Sequence, residues 1–124
     1  MPVMARTPVA TLVPPLTPAD AQAVGAFAHR VRDTLGNQLV GMRLFGSKAR
    51  GDADQDSDID VLVVVAPRFS VKELQRVVVD LAFDVNLAHD VYISPRVVGE
   101  DALTDPVQLR GSFLGLALRE GIRL

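Results

Sequence analysis

Two acids stand at the head of an apolar run in the middle of the chain. Asp58 and Asp60 are followed by Val-Leu-Val-Val-Val, which is typical of a buried central strand. Residues two apart on a strand share a face, with Cα atoms about 6.5–7 Å apart. Two such carboxylates can bind a pair of divalent cations, and their hard oxygens suit Mg²⁺ or Mn²⁺. The spacing thus predicts a two-metal site, but the same acids could also lie in a solvated, Asp-rich loop end.

A glycine-serine turn precedes these acids. The segment 45–51 is Phe-Gly-Ser-Lys-Ala-Arg-Gly and follows a predicted strand. Gly46 lets the backbone approach a phosphate closely, and the Ser47 hydroxyl and successive N–H groups can donate to phosphate oxygens. Lys48 and Arg50 add positive charge. A Gly-Ser turn alone is weak evidence. A phosphate site next to the acids is indicated by the order of the features, which is strand, turn, basic residues, short loop and Ser-Asp-x-Asp.

Together these residues resemble a known family. The segment 45–51, a polar loop and Ser57-Asp58-Ile59-Asp60 are similar to the signature of the minimal (MNT) branch of the DNA polymerase beta-like nucleotidyltransferase superfamily. Residues 89–95 and 119–124 are similar to that branch as well, so the resemblance covers about residues 20–124. Lys48 departs from the more usual Arg, which keeps the charge but loses bidentate phosphate geometry.

The resemblance assigns roles to the motif residues. Gly46 and Ser47 would hold the β- and γ-phosphates of ATP or another nucleoside triphosphate. Asp58 and Asp60 would bind two metal ions, Mg²⁺ or alternatively Mn²⁺. We also expect the positive charges of Lys48 and Arg50, and the hydroxyl of Ser57, to contribute to nucleotide binding.

A third carboxylate on a neighbouring strand would complete such a site and help to activate the attacking hydroxyl. We expect Asp90 to serve as this third catalytic residue and metal ligand, because it opens the strand after the long helix. An Asp at a helix-to-strand junction is, however, also a common turn residue. Asp84 is the alternative, although its helical phase points it outward.

The implied reaction is in-line attack of a hydroxyl on the α-phosphate, with pyrophosphate leaving. The resemblance implies transfer of AMP from ATP to a HEPN-type helical partner protein, with this chain as the antitoxin of the pair. One alternative is a binding module that acts by contact and whose nucleotide site is vestigial. A second is an antibiotic-modifying nucleotidyltransferase, which the short chain disfavours because it leaves no second domain to hold the substrate.

The elements that must position these residues follow from hydrophobic periodicity and caps. A Pro-rich arm (1–16) precedes a single domain (17–124). The pattern α-β-β-α-β-α predicts an α+β fold, with a small mixed sheet flanked by helices, as in the polymerase beta-like palm. Thr17 and Ser70 are the expected N-caps. The expected bounds are helix 17–36, strands 38–45 and 58–65, a helix from Ser70 to about 89, strand 90–98, and a last helix over 105–120.

The last helix is apolar nearly all round, and Gly111 and Gly115 lie four residues apart on it. This pattern suggests that 105–120 packs closely against a partner or a second copy of the chain. The alternative is that the helix is simply buried within the chain. Three other side chains stand out by type. We expect His29 and His89 to be structural or surface residues. We expect Tyr92 to pack, although it could accept a base or an adenylyl group.

Composition limits the partners. The net charge of −2 lacks the basic excess that duplex binding requires, so we expect no direct nucleic-acid binding. The chain has no cysteine, which excludes disulfides and thiolate metal sites. No apolar run approaches the roughly 20 residues of a membrane span. A cytoplasmic protein is therefore expected.

Overall fold

The computed structural model describes residues 16–46, 58–109 and 113–124. Single-turn 3-10 helices occupy Gly36–Gln38 and Glu100–Thr104. None of the helices in these ranges is both long and apolar enough to cross a bilayer. The elements, in chain order, are α1 (Pro18–Leu35), β1 (Leu39–Phe45), β2 (Ile59–Val65), α2 (Val71–His89), β3 (Ile93–Gly99), α3 (Pro106–Leu109), α4 (Phe113–Glu120) and β4 (Ile122–Arg123).

Both long helices begin at the predicted caps. The Thr17 hydroxyl accepts the Asp20 N–H at 3.0 Å, and the Ser70 hydroxyl accepts the Glu73 N–H at 3.3 Å. Each bond satisfies one of the amides that a helix start leaves without a partner. Gly36 ends α1 with φ at +54°, a conformation that glycine adopts at low cost. The predicted order of elements is confirmed up to β3.

The sheet has the strand order β3-β2-β1-β4. β1 pairs antiparallel with β2 and with β4, whereas β2 and β3 are parallel and are connected through α2. A parallel pair needs such a crossover because its second strand must start again at the same edge of the sheet. The predicted α+β class with a small mixed sheet is confirmed.

The two faces of the sheet are covered differently. The back face of β2 carries Ile59, Val61, Val63 and Val65, which pack in one core with α1 and α2. The opposite face, called the front face below, carries Asp60, Leu62 and Val64. There Leu62 and Val64 pack against a smaller cluster that includes Leu114 and Ala117 of α4. The apolar part of β2 is therefore buried on both faces, as predicted, and its acidic start extends past the small cluster.

Two helices are described within the last predicted helix. They are α3 and α4, and residues 110–112 between them, which include Gly111, lie outside the described residues. Gly115 is buried, and a Cβ there would overlap the Leu109 carbonyl oxygen. Close packing at Gly115 is thus explained by a contact within the chain. The predicted second copy at this surface stays a prediction.

β3 is an edge strand, and two amide side chains of α2 fasten it. Asn86 accepts the Ile93 N–H at 2.8 Å and donates to the Ile93 carbonyl at 3.2 Å. Gln75 accepts the Val97 N–H at 2.7 Å and donates to the Pro95 carbonyl at 3.2 Å. These four bonds occupy outward-facing backbone groups of Ile93, Pro95 and Val97, so this part of β3 is held by α2 on one side and by β2 on the other.

Candidate active site

The glycine of the turn and the second acid are in direct contact. Gly46 follows β1 with φ at +76°, and Phe45 pairs with Asp60 across the β1–β2 ladder. A Cβ on Gly46 would overlap the Asp60 Oδ2 and would lie 3.2 Å from the Asp60 Cγ. The carboxylate of Asp60 therefore lies against the Gly46 backbone, which only a residue without a side chain permits. The two halves of the sequence motif meet at this point.

Asp58 and Asp60 lie on either side of a buried residue. Ile59 between them is 1% exposed and belongs to the back core. Since side chains alternate along a strand, the two acids share the front face. Asp58 is exposed and Asp60 is half-buried. Two carboxylates on one face, beside an open backbone, supply the hard oxygen ligands that Mg²⁺ prefers, so these residues fit the expected metal.

Asp90 lies in a different setting. It follows α2 as the C-cap, with left-handed backbone angles (φ 54°, ψ 51°), and its N–H donates to the Asn86 carbonyl. Its side chain is exposed. Among the described residues, no three His or acidic side chains are grouped so that they could hold a metal ion. The structure thus brings Asp58 and Asp60 together without Asp90, whose role as third ligand stays a prediction.

The alternative third acid, Asp84, faces another helix. Its carboxylate lies 3.8 Å from the guanidinium of Arg30 on α1, and both side chains are well exposed. The outward helical phase expected from the sequence is therefore seen. His29 also lies at the surface, 3.2 Å from the Asp33 carboxylate, as expected of a surface histidine.

Tyr92 is the residue that sequence reasoning placed wrongly. Its side chain is 71% exposed, so it does not pack in the core. The Ile59 N–H donates to the Tyr92 carbonyl at 2.8 Å, and Asp60 pairs with Ser94 in the parallel ladder. By this register Tyr92 lies next to Asp58, on the front face. The buried residues on both sides of Tyr92, Val91 and Ile93, are the sequence signal for that orientation.

Four further predicted site residues fall outside the described residues. They are Ser47, Lys48, Arg50 and Ser57. Their expected contacts with nucleotide phosphates stay predictions. Gly46 and Asp58, which flank this segment in the sequence, are both described, and Gly46 contacts the carboxylate of Asp60.

The chain belongs to the nucleotidyltransferase domain family, whose sequence model matches residues 27–97. The matched region is more than half of the chain. It runs from α1 to β3 and contains Gly46, Asp58, Asp60 and Asp90. The resemblance to minimal nucleotidyltransferases drawn from the motif is thereby confirmed, and the chain is a transferase by family.

Two curated relatives come from Methanocaldococcus jannaschii, and both carry the provisional name of protein adenylyltransferase. MJ0141 is 36% identical over 74 residues, which is 60% of this chain and 74% of the relative. MJ0604 is 29% identical over 102 residues, which is 82% of this chain and 94% of the relative.

Two solved structures share the fold. One, provisionally described as a minimal nucleotidyltransferase, superposes with a TM-score of 0.50 at 28% identity and covers 83% of this chain and 94% of its own. The other is a toxin–antitoxin crystal structure with AMP-PNP. It superposes with a TM-score of 0.52 at 19% identity and covers 78% of this chain and 68% of that one.

Proposed function

We propose that this chain is a Mg²⁺-dependent nucleotidyltransferase that moves AMP from ATP to a hydroxyl group of a partner protein. The contact between Gly46 and the Asp60 carboxylate carries the proposal, because it joins the end of a phosphate-binding turn to a metal ligand. The relatives named as protein adenylyltransferases support the choice of AMP and of a protein acceptor. The toxin–antitoxin neighbour supports a protein partner, and the motif resemblance implies that this partner is of the HEPN type, with this chain as the antitoxin.

Each residue has a defined task in this reaction. Asp58 and Asp60 would hold the divalent ions, which would neutralise charge on the triphosphate. The Gly46 turn, with Ser47 and Lys48, binds the β- and γ-phosphates. The acceptor hydroxyl releases its proton to a carboxylate or to water, and its oxygen attacks the α-phosphorus in line with the leaving group. An oxygen–phosphorus bond forms, the bond from the α-phosphorus to the bridging oxygen breaks, and pyrophosphate leaves.

The site is open on the side where an acceptor would approach. Asp58 and Tyr92 are exposed at the start of their strands, and Phe83 and Leu87 of α2 are 60% and 70% exposed. A cavity of about 350 Å³ lies among Phe83, Leu87, Asp90 and Tyr92. Exposed apolar residues grouped in this way are typical of protein-binding surfaces. Since Tyr92 belongs both to this patch and to the surroundings of Asp58, a docked protein would lie beside the acids.

The same patch favours a second candidate function. A helical partner bound at Phe83 and Leu87 could be inhibited by contact alone, with no nucleotide transferred. In that case the chain would be a binding module with a vestigial site. The two candidates differ in one observable property, which is whether AMP is transferred to the bound partner.

Intact-protein mass spectrometry tests both candidates. The purified chain and the product of its neighbouring gene are incubated with Mg²⁺ and ATP. We expect one or more adenylyl masses on the partner, and none with the Asp58→Ala/Asp60→Ala variant. The Asp33→Ala/Asp80→Ala variant removes two exposed acids elsewhere and should retain the activity.

The outcomes separate the candidates. Absence of added mass with the wild-type chain, on either protein, would overturn the transferase proposal. If the partner co-purifies with the wild-type chain but gains no adenylyl mass, binding without transfer becomes the function. Loss of mass in both double variants would show that the acids act through general charge and not through the site.

A further inference from the structure

Two arginines lie side by side on the neighbouring strands β1 and β4. Arg43 of β1 is the direct cross-strand partner of Arg123 of β4. Directly opposed residues have Cβ atoms about 4.5–5.5 Å apart, and like charges in such pairs are destabilising. Among the side chains that the structure describes, neither guanidinium forms an ion pair. The pair therefore concentrates positive charge in a protein whose net charge is −2.

The register leaves little freedom to relieve this repulsion. Leu44 pairs with Ile122 next to the arginines, and the Leu124 N–H donates to the Met42 carbonyl at 3.0 Å. Leu124 is itself buried in the back core. β4 is thus held on both sides of Arg123, and since Met42 and Leu44 point into the back core, both arginines point to the front face.

The arginines border a cavity of about 370 Å³. This volume is within the range of small-molecule sites, roughly 300–1,000 Å³. No residue of the candidate active site lines it, and it extends along β1 from Arg43, which pairs with Leu62, to Gly41, which pairs with Val64. Its apolar walls come from Val40, Val64, Leu103 and Leu124.

We propose that this cavity is a second anion site that binds a phosphomonoester. A guanidinium presents parallel N–H donors that match two phosphate oxygens, and two guanidiniums together match a dianion. Bound phosphate would also remove the repulsion between Arg43 and Arg123. The apolar walls would contact the organic part of the ligand. This site is independent of the transferase reaction, since it shares no residue with it.

Amide chemical shifts in a ¹⁵N-labelled chain locate the binding. The probes are inorganic phosphate, AMP and adenosine, each added without divalent metal. We expect saturable shifts at Gly41, Arg43 and Leu103 with phosphate and with AMP, and none with adenosine. Tighter binding of AMP than of phosphate would show that the apolar walls contact the organic part of the ligand. Equal binding would show that the site recognises the free phosphate ion.

Charge-removing variants test the role of the two arginines. Arg123→Gln should weaken AMP binding about tenfold or more, because hydrogen bonds to charged groups contribute about 1.5–3 kcal/mol each. Arg43→Lys keeps the charge but loses the paired N–H donors of the guanidinium, so it should also weaken AMP binding. Arg76→Gln removes an exposed charge of α2 and should change nothing. Arg123 is exposed, so its variant is expected to fold.

Thermal melting gives a second readout. Phosphate should raise the Tm of the wild-type chain more than that of Arg123→Gln, because a ligand stabilises the state that binds it. The proposal is overturned if no saturable shifts occur up to about 10 mM ligand, which corresponds to a free energy too small for a specific site. It is also overturned if shifts are confined to Gly46 and Asp58, or if adenosine binds as well as AMP.

Discussion

Replacement of Gly46 by alanine tests the contact on which the proposed chemistry depends. The new Cβ would overlap the Asp60 Oδ2, so the carboxylate must move. A positive φ adds a backbone cost of about 1–3 kcal/mol for a residue with a side chain. Displacement of a reacting group by roughly 1 Å can lower a rate about 100-fold. We therefore expect Gly46→Ala to fold with reduced stability and to transfer AMP about 100 times more slowly.

Gly36 provides a matched control within the same chain. Its φ is +54°, and a Cβ there would have no heavy atom within 4 Å. Gly36→Ala is therefore expected to destabilise the backbone without any contact with the candidate active site. Both variants should lose several degrees of Tm, at about 4 °C or more per kcal/mol for a chain of this size. Only Gly46→Ala should lose the rate of adenylyl transfer, measured by intact mass against time at saturating Mg²⁺ and ATP.

A double-mutant cycle separates the clash from the backbone cost. In the Asp60→Ala background the obstructing carboxylate is absent, so Gly46→Ala should destabilise no more than Gly36→Ala does. A coupling free energy of about 0.5–3 kcal/mol between positions 46 and 60 is expected for residues in contact. Equal transfer rates in Gly46→Ala and Gly36→Ala, with no coupling, would refute the argument that Gly46 positions the Asp60 carboxylate.

Four further substitutions test contacts that hold the fold together. Asn86→Ala removes both side-chain hydrogen bonds to Ile93 and should lower the free energy of unfolding, measured with urea, by about 1–3 kcal/mol. Hydrogen exchange at the Ile93 amide should become faster. Unchanged exchange would contradict the attachment of β3 to α2. Thr17→Ala should cost about 0.5–2 kcal/mol through the lost cap, which thermal melting would detect, whereas an unchanged Tm would count against it. Gly115→Ala should lower the stability of the fold, measured by calorimetry. Gly25→Ala, at an exposed position on α1 with open space around it, should raise that stability by up to about 1 kcal/mol. The reverse order would refute the packing described at Gly115.

The sequence was sufficient for elements whose signals are local. The caps at Thr17 and Ser70 and the apolar run after Asp60 each specify one element from neighbouring residues, and the structure has all three. The shared face of Asp58 and Asp60 follows from strand alternation alone. Local rules therefore predicted the fold class and the paired acids.

The register between separate strands was not predictable in this way. β2 and β3 are parallel and are separated by α2, so no turn fixes which residues lie side by side. Asp90 carries the residue type that a third ligand needs, but it also tolerates the left-handed conformation that ends α2. Tyr92 lies beside Asp58. A search of the sequence for carboxylates does not identify it, because Tyr92 is not an acid.

The last helix shows a local signal that has more than one possible cause. A glycine in an apolar helix indicates close approach of another backbone, and that inference was correct at Gly115. The approaching group is the Leu109 carbonyl of the same chain, so the glycine gives no information about oligomers. Sequence periodicity cannot distinguish these cases, because both place a backbone against the same helix face.

The fastening of β3 by Gln75 and Asn86 determines how other proteins can associate with this chain. Many complexes form when a foreign strand adds to a free sheet edge and pairs with its backbone. At β3 four of those backbone groups are occupied, and Pro95 has no N–H to offer. The opposite edge, β4, has only two residues. Strand addition is thus restricted at one edge and short at the other. We therefore expect selectivity for a protein partner to reside in side-chain surfaces, where single substitutions can change the partner without altering the sheet.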